Sequence, residues 1–148
     1  MNCTYVFNKM IGPFCDPYIR GIASKGGTRS SKTWSVLQLL YLVANESTEP
    51  LMISCVTDTL PAVKRGMFRD FQNMLLDEGV WDDNALNKSD LIYTVKPGVC
   101  IEFFGCDNAS KVHGPARDIL FINEAQRVPR EIFRQLDVRT TIKVIIDF

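Results

Sequence analysis

Two short stretches of this 148-residue chain combine residue types that act on phosphates. The first is Gly26-Gly27-Thr28-Arg29-Ser30-Ser31-Lys32-Thr33. It follows the phosphate-loop pattern, with Ser31 standing where a second glycine is usual. Gly26 and Gly27 permit backbone angles that a Cβ would forbid, so successive N–H groups can converge on an anion. A helix beginning at the end of the loop adds unpaired N–H donors and a positive dipole end. In this reading residues 26–33 form the ATP-binding loop, Lys32 reaches the β/γ-phosphates, and the Thr33 hydroxyl ligates Mg²⁺. The plainer alternative is a Gly/Ser-rich loop capped ahead of an ordinary helix.

The second stretch is Ile119-Leu120-Phe121-Ile122-Asn123-Glu124, an apolar run that ends in two polar side chains. On a central strand this run places Asn123 and Glu124 at the carboxyl end, where open α/β sheets bind ligands. Glu124 is then the candidate catalytic base that orients and deprotonates a lytic water. Asn123 stands where an aspartate that handles the metal is usual. An asparagine is nearly isosteric and can hold a metal-bound water through its carbonyl oxygen. It brings no charge, so weaker Mg²⁺ binding is expected.

These residues need elements to hold them. Tyr18–Ser24 reads as a strand running into the loop, and 33–44 as a helix apolar on nearly every face, hence buried. Leu51–Val56 reads as a buried strand. Thr59 caps a helix with Pro61 in its first turn, extending to Asp77, with Gly79 as its stop. Residues 82–89 read as a polar loop. Leu91–Val95 and Val99–Phe104 flank Lys96-Pro97-Gly98 as a β-hairpin. After a loop over 107–117, Ile119–Ile122 is a compact strand, 129–136 a short helix and 141–148 a last apolar strand. Alternating strands and helices with continuously apolar strands predict a mostly parallel sheet covered on both faces, with an antiparallel hairpin added. The expected fold is therefore α/β, a P-loop NTPase of the additional-strand, catalytic-glutamate type, with residues 1–148 as one ATPase domain.

Composition narrows the classes. Hydrophobic residues make up 46% and charged residues 23%, ordinary for a globular domain. Lys plus Arg and Asp plus Glu both total 17, so the formal net charge is zero, which argues against gripping nucleic acid by bulk charge. No apolar run is long enough for a membrane span, and the N-terminus lacks the basic and apolar regions of a signal peptide. The five cysteines (Cys3, Cys15, Cys55, Cys100 and Cys106) form no C-x-x-C pair and read as reduced thiols in a cytosolic setting. Cys55 and Cys100 lie in apolar runs and read as core residues.

Taken together, Gly26–Thr33, Lys111-Val112-His113-Gly114 and Asp118–Gln126 resemble the ATPase domain of the large terminase subunit of tailed bacteriophages. The resemblance runs from about Ile19 to Phe148, and the last strand is similar to the one leading into that family's coupling motif. It implies hydrolysis of ATP with Mg²⁺ to drive double-stranded viral DNA into a procapsid in the host cell cytoplasm. It also implies a portal protein and a small terminase subunit as partners, and a ring of identical subunits. The same resemblance implies that the chain is an N-terminal fragment lacking the coupling segment and a C-terminal nuclease domain, monomeric and weakly active in isolation. The family often has aspartate where Asn123 stands. An arginine in its loop can touch the γ-phosphate in cis, and Arg29 is the candidate, one position out of register. A helicase or recombinase ATPase would share both motifs. A nucleotide-binding module without turnover would account for Ser31 and Asn123.

Other features have plainer readings. Lys64, Arg65 and Arg69 lie on the polar side of the 61–77 helix. They form an ordinary solvated face, or one of Arg65 and Arg69 is an arginine finger offered to a neighbouring subunit. Asn87-Lys88-Ser89-Asp90 matches the guanine-specificity pattern but precedes a strand and has no accompanying switch motif, so it reads as a loop. His113 reads as a loop or DNA-facing residue, and Trp34 and Tyr41 as core. Tyr5, Phe7, Phe14 and Tyr18 are aromatic candidates for stacking on adenine, with packing as the plainer role.

Overall fold

Seven strands form one sheet in the computed structural model, which describes residues 1–27 and 31–148. In chain order they are β1 (Gly21–Ser24), β2 (Leu51–Thr57), β3 (Leu86–Asn87), β4 (Ile92–Lys96), β5 (Val99–Gly105), β6 (Arg117–Ile122) and β7 (Thr140–Asp147). In space they run β1-β7-β6-β2-β5-β4-β3. The pairs from β1 across to β5 are parallel, and β5–β4 and β4–β3 are antiparallel. The mostly parallel sheet with a hairpin at one edge is as the sequence predicts.

Pleating sends alternate residues of the central strands to opposite faces. Ile53, Cys55, Ile101, Phe103, Ile119, Phe121 and Ile145 pack under α1 (Tyr5–Cys15), α2 (Lys32–Glu46), α3 (Leu60–Arg65) and α4 (Met67–Asp77). Val56, Phe104, Leu120, Ile122 and Val144 pack under α5 (Ala109–Val112) and α6 (Arg130–Val138). Helices thus cover both faces, and the continuously apolar runs are strands buried on both sides. Helix α2 is buried from Ser35 to Leu40, as its all-round apolar sequence requires.

Three local differences from the sequence reading have clear causes. The helix expected over 61–77 breaks at Gly66 (φ −112°, ψ −99°). Gly66 donates its N–H to Ala62 O at 3.0 Å and accepts from Asp70 N at 3.0 Å, ending one helix and starting the next. A Cβ there would lie 3.1 Å from Ala62 O. The polar stretch 82–89 carries strand β3. Helix α1 is unforeseen, because Gly12 and Pro13 interrupt its pattern. Thr4 caps it through Phe7 N at 3.1 Å, and Phe7 and Met10 enter the core. Past its far end the buried Lys143 ammonium of β7 donates to Asp16 O at 2.7 Å and to Ile19 O, tying the turn between α1 and β1 to the sheet.

All five cysteines are free thiols. Cys55 is fully buried, whereas Cys100, on the hairpin, is only half-buried. Burial raises the Cys55 thiol well above the ordinary range. Burial, then Asp58 and Asp107, push Cys106 up to about 11. A raised thiol pKa means little thiolate at pH 8, and thiolate is the reacting form. Iodoacetamide at pH 8 should therefore label the exposed Cys3 and Cys15 in the native protein, and Cys55 and Cys106 only after denaturation. Intact and peptide mass measurements read this; native labelling of Cys106 as fast as Cys3 would contradict it. Among the described residues no helix is long and apolar enough to cross a membrane.

Candidate active site

Strand β1 delivers the chain to Lys25, Gly26 and Gly27, and α2 begins at Lys32. Thr28, Arg29 and Ser30 lie outside the described residues. Ser31 holds a left-handed conformation (φ 53°, ψ 17°) just ahead of α2. A glycine there would adopt it freely, whereas a side chain carries strain of about 1–3 kcal/mol. The sequence pattern and the backbone thus agree on what this position demands. Lys32 Nζ donates to Gly26 O and, at 3.1 Å, to Phe148 O, so the ammonium lies between a carbonyl of the loop and one just past β7.

Strand β6 ends at Ile122, and the next two residues reach the same edge of the sheet. Asn123 is held through its backbone: its N–H donates to Val56 O at 2.9 Å and its carbonyl accepts from the Thr57 hydroxyl at 3.0 Å. Its amide nitrogen donates to Thr33 Oγ1 at 2.9 Å and to both carboxylate oxygens of Asp147, at 3.1 and 3.0 Å. The Thr33 hydroxyl donates to Asp147 Oδ2 at 3.2 Å, and the Glu124 N–H donates to Asp147 Oδ1 at 2.6 Å. A carboxylate accepts only, which fixes which end of the Asn123 amide faces it.

Glu124 itself is left-handed (φ 52°, ψ 56°), a costly conformation for a side chain and one found where neighbours over-determine the backbone. Its carboxylate meets Arg127 Nε at 3.0 Å across the single turn Ala125–Arg127. Both partners are more than a third exposed, so this pair contributes little to stability.

Gly26, Gly27, Lys32, Thr33, Asn123, Glu124 and Asp147 line one cleft of about 190 Å³. Trp34 and Asp70 also line it; Trp34, read from sequence as core, packs against the core and faces the cleft as well. Burial raises the Asp70 carboxyl pKa, and the nearby Arg69 opposes that. Next to it, a groove of about 260 Å³ brings Arg65 to the same side as Glu124 and Arg127 of its own chain. A roomier cavity of about 370 Å³ lies between the hairpin and α5, but it holds no residue of either motif.

Other candidates are elsewhere. Arg69 is exposed and lines neither the cleft nor the groove. Phe7 is buried in the core and Phe14 packs against it, while Tyr5 and Tyr18 are 71% and 95% exposed; none lines the cleft. Lys111 pairs with Glu102 at 3.7 Å, and His113 is an exposed residue closing α5. Asn87 accepts from the backbone of Ser89 and Asp90, a local turn consistent with the loop reading. Asp147, Arg127 and Asp70 are cleft or groove residues that the sequence reading omitted. Asp147 follows an apolar strand just as Asn123 does, a signal that would have found it.

The mostly parallel sheet has β7 interposed between β1, the strand that leads toward Lys32, and β6, the strand that leads to Glu124. Solved structures match this fold. The large terminase from a thermophilic bacteriophage matches with a TM-score of 0.78 at 18% identity, covering 99% of this chain and 39% of that one. The same terminase in complex with ATP-gamma-S matches at 0.74 and 19% identity, covering 99% and 38%. The HK97 bacteriophage large terminase matches at 0.73 and 13% identity, covering 99% and 33%. The chain has the fold of a large-terminase ATPase domain and spans well under half the length of these terminases. No protein-family model matches it, and no curated protein matches it by sequence.

Proposed function

We propose that residues 1–148 form the ATPase domain of a DNA-packaging motor, hydrolysing ATP with Mg²⁺. The observation that carries this is one hydrogen-bonded cluster. Thr33 at the start of α2, Asn123 and Glu124 just past β6, and Asp147 at the end of β7 meet at the carboxyl edge of the sheet, beside Lys32.

In this reading Lys32 exchanges the Gly26 and Phe148 carbonyls for β/γ-phosphate oxygens, and the loop N–H groups hold the rest. The cleft suits a hard cation: the Thr33 hydroxyl is an oxygen donor, the Asp147 carboxylate beside it supplies negative charge, and the Asn123 side-chain carbonyl can hold a metal-bound water. Among the described residues no cluster of three or more His, Cys, Asp or Glu offers a full protein cage. Magnesium fits such a site, because it keeps waters and relies on one or two protein oxygens plus phosphates. When bound, it would neutralise charge developing on the phosphates. Glu124 orients a water in line with the γ-phosphorus and takes its proton as the new P–O bond forms and ADP leaves.

The likeness to the terminases of HK97 and of the thermophilic bacteriophage supports translocation of double-stranded viral DNA as the work performed, with portal and small terminase subunit as partners and a ring of subunits. Arg65, already on the Glu124 side, or Arg69 would then be the finger offered between subunits. The Glu124–Arg127 ion pair favours a second reading, a nucleotide-binding module without turnover.

The direct test is nucleotide affinity. Lys32→Ala removes a charged phosphate contact and should weaken ATP binding about 10- to 100-fold, measured by calorimetry. Equal affinity in the variant and the wild type would remove the phosphate-loop assignment.

A further inference from the structure

Asp147 is 2% exposed and is the one buried carboxylate among the described residues. No cation of those residues pairs with it. Instead it collects hydrogen bonds from the Thr33 hydroxyl, the Asn123 amide and the Glu124 N–H. Burying an uncompensated charge is expensive, and such groups are ordinarily paired or set against a metal. Asn123, at the end of β6, carries no charge. The buried carboxylate of the cleft stands one strand over, at the end of β7, and accepts from the hydroxyl that a phosphate loop uses for its metal.

Building on the nucleotide reading above, we propose that Asp147 is the positioning carboxylate of the magnesium site, supplying the charge that Asn123 lacks. It acts through Thr33. By accepting the Thr33 proton, it turns a lone pair of Oγ1 outward as a metal ligand. A hydroxyl has two acceptor lone pairs, so the Asn123 amide can keep one while the other serves the metal. Asp147 also fixes the Glu124 backbone through its N–H, so the same carboxylate sets the metal ligand and the start of the base's turn. Outer groups of this kind typically govern metal affinity by about 10- to 100-fold.

The experiment measures ATP affinity in Mg²⁺ and in EDTA, for wild type, Asp147→Asn, and the double exchange Asn123→Asp with Asp147→Asn. In wild type Mg²⁺ should tighten ATP binding. In Asp147→Asn that tightening should fall at least about tenfold, while affinity in EDTA is kept or improved because a negative charge has gone. The double exchange restores one carboxylate and one amide to the same cluster and should recover the Mg²⁺ dependence. Unchanged Mg²⁺ dependence in Asp147→Asn would overturn the assignment while leaving the ATP site intact. Absence of ATP binding by the wild type in either condition would overturn the nucleotide reading itself.

Discussion

Exchanging Glu124 for glutamine is expected to slow ATP hydrolysis by about 10²–10⁴-fold, the usual contribution of a positioned base. Glutamine keeps the shape and can still orient a water, but it cannot take the proton. The hydrogen bond that anchors this residue to Asp147 comes from the backbone, so the exchange leaves it in place. The left-handed backbone at Glu124 also survives, since both side chains bear it equally. Only the partly exposed pair with Arg127 is lost, at little cost in stability. ATP affinity should therefore stay near that of the wild type, separating this variant from Lys32→Ala. Phosphate release in a single turnover is the measurement. A rate unaffected by the exchange would remove Glu124 as the base, and no hydrolysis by the wild type would favour the module without turnover.

The second large effect concerns the scaffold. Phe71→Ala should cost about 3–5 kcal/mol of folding stability, the range for truncating a buried aromatic. Phe71 is fully buried at the centre of an aromatic cluster. Its ring lies 5.1 Å from Phe103, 5.4 Å from Tyr93, 6.4 Å from Tyr41 and 6.5 Å from Trp81, between centroids. These rings come from α2, α4, β4, β5 and the stretch after α4 that carries Trp81, so one side chain joins helix α2 to the hairpin edge. Denaturant unfolding followed by tryptophan fluorescence reads the loss directly, because Trp81 stacks on Tyr93 at 4.9 Å within the cluster. A loss below about 1 kcal/mol would mean that the neighbours close the cavity, against the expected rigidity of such cores.

Much of this molecule was legible in the order of its residues, where one physical signal dominated. Continuous apolar runs marked β2, β5, β6 and β7, because a strand buried on both faces has no polar side to show. The Gly26–Thr33 stretch and the Asn123-Glu124 pair stood out because their residue types and spacing match a pattern, and described residues of both line one cleft. Helix α1 was hidden because Gly12 and Pro13 interrupt its pattern and its tie to Lys143 comes from 127 residues away. The break at Gly66 was hidden because glycine inside a helical pattern is tolerated as often as it terminates one. Asp147 was passed over for a different reason. Its strand was read correctly, but its neighbour relation to Thr33 and Asn123 exists only once β7 has slipped between β1 and β6.

That strand order also bears on how the molecule comes to be folded. Among the described residues strand β1 pairs with β7 alone, and Lys32 rests on a carbonyl 116 residues further along the chain. Contacts of that separation form late, since the entropy of closing so long a loop must be met before they stabilise anything. The central pairs β2–β5 and β2–β6 can assemble without the first twenty-odd residues. The pairing of β1 with β7, and the Lys32 contact beside it, is therefore expected to close after the central strands have paired.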